Sequence, residues 1–330
     1  MQGMGLLRIL ALTLSLIFVG IAAFGIPRLG ITGKGRGLLA LSGLLLVVVG
    51  AIGSYAPRMA LTRAWLALTG GLVDVGGYRL RIECFGTGLP TVVMDAGLAQ
   101  DRSSWGHVPA GIAQFSRVCI YDRAGLGESD IGPRPRTSQQ IVNELDSLLR
   151  HANIRGPFLL VGHSFGGANV RLYASEHPES VKGIVLVDAI QEDEIDEYTA
   201  LLSGGDRDKY LNEQRGSNYE GVNIEASLKQ VRALSLPPSL LLTVISAGDN
   251  SNFATQAEFQ IHDKGQSALS QLIPNSKLII VSKSGHFVQL DQPQVVIQAV
   301  YEMVNGLRRK SMFLRTPLRM STAIFANSNN

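Results

Sequence analysis

Cysteine is scarce in this chain, and neither sign of charge dominates. Cys84 and Cys119 are the only two cysteines among 330 residues. Neither belongs to a Cys-x-x-Cys pair, and no His/Cys cluster has zinc-like spacing, so no metal site is implied. Each sits in an apolar, strand-like run, which predicts two buried, inert thiols. A disulfide between them requires neighbouring strands and an oxidising compartment. Lysine and arginine total 30 against 27 acidic residues, a formal charge of +3. No Lys/Arg block is long enough to suggest a nucleic-acid partner. Apolar residues, at 45%, are ample for a large core.

Charge is missing altogether from two N-terminal stretches. Ile9 to Ile26 is almost wholly apolar, with Arg8 in front and Pro27-Arg28 behind. Leu38 to Tyr55 is a second such run, and the loop between carries Arg28, Lys34 and Arg36. A bilayer crossing needs roughly 20 residues, so residues 1–60 are expected to form a membrane anchor of two helices. A cleaved signal peptide would account for the first run but leave the second unexplained. Two buried core helices are the other alternative, which the lack of charge disfavours. Three basic residues in the loop face Arg8, Arg58 and Arg63 on the other side. The tighter clustering in the loop favours a cytoplasmic loop. The chain is then a multi-pass membrane protein, and the part that follows the hairpin lies outside the cytoplasm.

Residues 70–308 alternate short apolar runs with amphipathic stretches. Strands are expected at Tyr78–Phe85, Thr91–Asp95, Arg117–Asp122, Phe158–Val161, Gly183–Asp188, Leu240–Ser246 and Lys277–Ser282. Most look like strands buried on both faces. Helical patterns include Ser138–Ala152, Ala168–Glu176 and Val295–Leu307. This alternation predicts an α/β fold with a mostly parallel, doubly wound sheet. Residues 190–236 are polar and charged and break the rhythm, as a helical lid insertion would. Residues 309–330 are expected to be a polar, disordered tail.

The chemistry concentrates at Gly162-His-Ser164-Phe-Gly166, which directly follows the apolar run Phe158–Val161 and precedes a helical pattern. In that setting Gly-x-Ser-x-Gly is a nucleophile elbow. Gly162 and Gly166 keep side chains out of a close strand–helix approach. The Phe165 amide, at a helix N-terminus, can stabilise an oxyanion. A serine needs a base. Of six histidines, His286 follows the last strand at the sheet edge where functional loops gather. His163 is read as structural, His151 and His177 as surface residues, and His262 as part of a polar helix. Asp188 and Asp249 both end strands and compete to orient the imidazole.

These residues together resemble the α/β-hydrolase fold superfamily over about residues 72 to 308. Val92-Val-Met-Asp95-Ala96-Gly97-Leu98 resembles the family's strand and oxyanion loop, with Ala96 where a histidine is usual. The resemblance makes the Leu98 amide the second oxyanion donor. Trp105 fits a tryptophan that follows this loop. Tyr121-Asp-Arg-Ala-Gly125-Leu-Gly127-Glu-Ser129 resembles a structural turn, and Ser-Gly-His286-Phe the catalytic-histidine loop. Asp249 comes two positions early for the usual acid, so Asp188 is preferred and Asp249 stays the alternative. A serine nucleophile implies acyl chemistry without metal or organic cofactor. The expected protein is a membrane-anchored serine hydrolase acting on carboxylic esters of a small-molecule or lipid-like acyl substrate. One alternative is an amidase or proline-iminopeptidase-like aminopeptidase, with Glu192, Asp193 or Glu194 receiving an amine. The other is a non-catalytic, hydrolase-like binding domain.

Overall fold

The computed structural model describes residues 69–315. The predicted hairpin of residues 1–60 lies outside the described residues, as do residues 316–330. Among the described residues no helix is long and apolar enough to cross a membrane.

Eight strands form one sheet. They are β1 (Thr69–Asp74), β2 (Arg79–Phe85), β3 (Thr91–Asp95), β4 (Val118–Tyr121), β5 (Phe158–His163), β6 (Val181–Val187), β7 (Leu241–Ala247) and β8 (Lys277–Val281). Their order is β1-β2-β4-β3-β5-β6-β7-β8. The first two are antiparallel additions, and the strands from β4 to β8 run parallel. After β3 the chain builds outward to β4, then returns to place β5 on β3's other side. The order therefore reverses between β3 and β5, where Asp95 is in register with Gly162. Loops leaving the carboxyl ends of strands diverge at such a point and leave a crevice.

Nine helices accompany the sheet among the described residues: α1 (Val108–Ile112), α2 (Ser138–His151), α3 (Phe165–Glu176), α4 (Glu194–Leu201), α5 (Gly204–Gln214), α6 (Ile224–Arg232), α7 (Gln256–Leu269), α8 (Val288–Asp291) and α9 (Pro293–Arg315). Apolar side chains collect in two clusters, as expected when helices cover both faces of a sheet. One joins Ile141, Leu145 and Leu148 of α2 and Leu172 of α3 to Leu160 and Ile184. The other joins Val108, Val296, Val300 and Val304 to Leu159, Val161 and Val185. Along α2 the buried positions recur at helical spacing, Ile141, Leu145, Leu148 and Leu149, so one stripe faces the sheet. Helices α4, α5 and α6 occupy the insertion between β6 and β7. Leu228 and Val231 anchor α6 in the first core, while α5 has no fully buried residue and meets that core through half-buried Tyr210. Helix α9 continues to Arg315, past the 308 boundary expected from sequence.

Two expectations need correction. Cys84 and Cys119 are not free thiols. They stand directly opposite on antiparallel β2 and β4, with Cα atoms 4.1 Å apart, and form a disulfide. Adjacency of those strands was the condition the sequence left open. Strand β8 is not buried on both faces either, because it is the sheet's last strand and leaves Leu278 and Ile280 exposed.

Candidate active site

Strand β5 is buried throughout and ends one residue before Ser164. Ser164 has φ 51° and ψ −121°, a region an L-residue enters only under strain of about 1–3 kcal/mol. Three bonds hold the turn. The Ser164 amide donates to the Val187 carbonyl at 3.1 Å, and its own carbonyl accepts from Gly167 at 2.9 Å and Ile190 at 3.2 Å. Glycine is required on both sides. A Cβ on Gly162 would lie 2.6 Å from the Gly166 carbonyl oxygen, and one on Gly166 would lie 2.2 Å from that of Asp95.

The loop after β3 lies beside this elbow. Among the described residues neither the Leu98 amide nor the Phe165 amide has a hydrogen-bond acceptor. Ala96 offers no polar side chain, and the loop is braced instead by a buried arginine from the Asp122–Ser129 turn. Arg123 donates to the Asp95 carboxylate at 2.5 Å and to the Ala96 and Gly97 carbonyls at 2.6 Å. Glu220, from the lid, receives Arg123 at 2.7 and 2.9 Å and the Ala99 amide at 3.1 Å. Burial alone would raise the Glu220 carboxyl, but Arg123 outweighs it and holds it below the ordinary range. The sequence offered no sign of this link, because Arg123 and Glu220 are 97 positions apart.

Asp188 follows β6 at φ 44° and is nearly fully buried. Its Oδ2 meets Nδ1 of His286 at 2.7 Å. Its Oδ1 accepts the Ala247 amide at 2.7 Å and meets Nε2 of His262 at 2.8 Å. Burial opposes the charge, yet the bonds from His262 and His286 outweigh it, and the carboxyl sits well below the usual range. Asp249 is placed differently. It caps a short 3₁₀ turn, accepting the Ser251 amide at 3.0 Å and the Ser251 hydroxyl at 2.7 Å.

Ser164, Asp188, His286, His262, Glu194 and Phe253 line one cavity of about 240 Å³. Among the described residues no hydrogen bond joins Ser164 to His286, whose ring is bonded to Asp188. His163 is fully buried, with Nε2 2.9 Å from the His286 carbonyl and Nδ1 3.2 Å from the Gln100 side-chain amide. Burial lowers its pKa to about 4, so it is neutral at pH 7 and ties the histidine loop to the oxyanion loop. Trp105 packs edge-on against it, ring centroids 6.3 Å apart. His151 and His177 lie at helix ends away from the cavity, His151 bonded to the Asp74 carbonyl at 2.7 Å.

The three acidic residues weighed as amine receptors separate. Glu192 is buried against Arg171, and Asp193 meets Arg232 at 2.8 Å. Glu194 alone of the three reaches the Ser164 cavity, where burial pushes its carboxyl up. A larger cavity of about 390 Å³ is lined by Arg171, Glu192, Arg232 and Leu272 and contains neither Ser164 nor His286.

A family profile described as alpha/beta hydrolase fold matches residues 90–219. The uncharacterized protein YqjL of Bacillus subtilis is 30% identical over 222 residues, which cover 64% of this chain and 83% of YqjL. A putative lipase from Acinetobacter baumannii superposes with a TM-score of 0.54 at 20% identity, covering 78% of this chain and 97% of its own. A thermophilic esterase from Thermogutta terrifontis gives 0.50 at 21% identity, covering 73% and 98%.

Proposed function

Because the chain belongs to the α/β-hydrolase superfamily, we propose that it is a serine hydrolase cleaving carboxylic esters through an acyl-enzyme intermediate. The observation that carries this reading is the strained Ser164 elbow sharing one cavity with an imidazole bonded to a buried carboxylate. Ionised Asp188 can only accept, so His286 presents Nδ1–H to it. The lone pair of Nε2 is then left for the Ser164 proton. Ser164 Oγ attacks the ester carbonyl as His286 takes that proton. The oxyanion falls to the amides of Phe165 and Leu98, which have no other acceptor among the described residues. His286 then protonates the leaving alcohol. A water, deprotonated in turn by His286, releases the acid and restores Ser164.

Two observations favour ester over peptide-amine chemistry. The Glu192 and Asp193 carboxylates are committed to arginines. Glu194 faces the cavity, but burial raises its proton affinity and weakens it as an anionic receptor for an amine. Residues 1–60 are proposed as a membrane anchor that holds the hydrolase outside the cytoplasm. The Cys84–Cys119 disulfide suits such an oxidising compartment. A membrane setting in turn favours lipid-like or otherwise apolar acyl groups. Hydrolysis of p-nitrophenyl esters against proline anilides tests the class. Turnover of the esters with inert anilides is expected, and the reverse would replace this reading with the aminopeptidase one.

A further inference from the structure

Asp188 carries a second imidazole that the mechanism above does not use. His262, on α7, is buried, and its Nε2 lies 2.8 Å from Asp188 Oδ1. His286 holds the opposite oxygen at 2.7 Å, and the Ala247 amide shares Oδ1 at 2.7 Å. One negative charge thus serves two bases from its two ends. Phe253 and Phe259 flank the second ring, with centroids 5.0 and 6.5 Å away. Nδ1 of His262 is buried with no partner among the described residues.

We propose that His262 is a positioning residue for the triad. It fixes Asp188, and its own positive charge limits how much negative charge Asp188 presents to His286. This rests on the serine-hydrolase reading of Ser164, His286 and Asp188.

The charged groups facing His262 are mostly acidic. Asp188 comes from the end of β6 and Asp263 from its own helix, while Glu194 of α4, its carboxyl pushed up by burial, adds less. The Glu197–Lys264 pair between α4 and α7, at 2.5 Å, is exposed and internally compensated. Strand β7 contributes only the neutral Ala247 amide, and His286 lies across the carboxylate. Burial works against a cation here, but the bond to Asp188 outweighs it and raises His262 above the ordinary imidazole range. While His262 is charged, the Asp188–His262 pair is close to neutral. His286 then gains less from Asp188 when it takes a proton. The bonded nitrogens of the two imidazoles are at most about 8 Å apart through the carboxylate, and a unit charge at roughly that distance is worth about one pH unit.

His262→Gln keeps a neutral donor and removes the charge. In the full-length protein, its kcat at high pH should stay within about tenfold of wild type. The acid limb of kcat/KM should move up by about one pH unit. His262→Phe, which also loses the donor, should lower kcat further. A merely structural hydrogen bond predicts no movement of the acid limb in the glutamine variant, and that result overturns the proposal. Long-range ¹H–¹⁵N spectra of histidine-labelled wild type provide an arm that needs neither a folded variant nor a substrate. His262 charged near pH 6.5, and neutralised in Asp188→Asn, supports the proposal. A neutral His262 in wild type near that pH overturns it. Failure of the hydrolase reading shows separately, as a folded wild type with no turnover of any ester.

Discussion

Replacing Glu220 with alanine should cost about 3–5 kcal/mol of stability, the range for stripping one partner from a buried, hydrogen-bonded ion pair. Glu220 is 2% exposed and receives two bonds from Arg123 and one from the Ala99 amide. Without it Arg123 retains Asp95 and two carbonyls, while the Ala99 amide loses its acceptor. In a domain of this size each kcal/mol moves the Tm by about 2–4 °C, so a fall of roughly 10 °C is expected. Turnover should fall as well. Leu98 lies between Gly97, held by Arg123, and Ala99, held by Glu220, so its amide loses its aim. Loss of one oxyanion donor outright costs about 10²–10³ in kcat, and a displaced donor should cost about 10–100-fold with KM little changed. Thermal unfolding and steady-state ester kinetics measure both. A Tm within 2 °C (~1 kcal/mol) and kcat within about twofold of wild type would refute the bracing role. The pH dependence has a definite sign. The Glu220 carboxyl is depressed in the fold, so its stabilisation is complete above the ordinary carboxylate pKa of about 4.3 and is lost as pH falls through the folded value. Glu220→Gln should flatten the acid side of the stability profile.

Asp188→Asn should lower kcat by about 10³–10⁴-fold, the scale for amide replacement of a triad acid, while Asp249→Asn stays within a few-fold. Parallel kinetics decide, and collapse of Asp249→Asn alone would move the acid to Asp249. Cys84 and Cys119 are separated by 35 positions, for which a crosslink contributes about 3–4 kcal/mol by restricting the unfolded chain. Denaturant unfolding of Cys84→Ser/Cys119→Ser should show that loss, whereas equal stability of oxidised wild type and the double variant would remove the disulfide from the account.

What the sequence makes legible is what local patterning encodes. Strands β2 to β8 fall at or within two residues of their expected positions, because apolar runs bounded by turns mark them. Strand β1 is missed because Thr69-Gly-Gly-Leu-Val-Asp74 contains two glycines and reads as a loop. Gly70 is nonetheless needed there, since a Cβ would lie 2.5 Å from the Ile82 carbonyl oxygen. Ser164 and His286 are marked by strand-end motifs. The disulfide, the Arg123–Glu220 brace and His262 carry no such mark. Each depends on which strands are neighbours or on where the insertion folds back. His262 looks like any histidine of a polar helix until α7 is laid beside Asp188. The choice between Asp188 and Asp249 is only half marked: Asp249 stands two positions early for the usual acid, but only the packing of the strand ends shows that Asp188 meets the imidazole while Asp249 caps its own turn.

Treating the full-length protein with a fluorescent organophosphonate and mapping the adduct by mass spectrometry shows which residue is the nucleophile. One adduct is expected, on the peptide containing Ser164, and absent from Ser164→Ala. A folded wild type that takes no label, or a label that persists in Ser164→Ala, would contradict the assignment of Ser164 as the nucleophile.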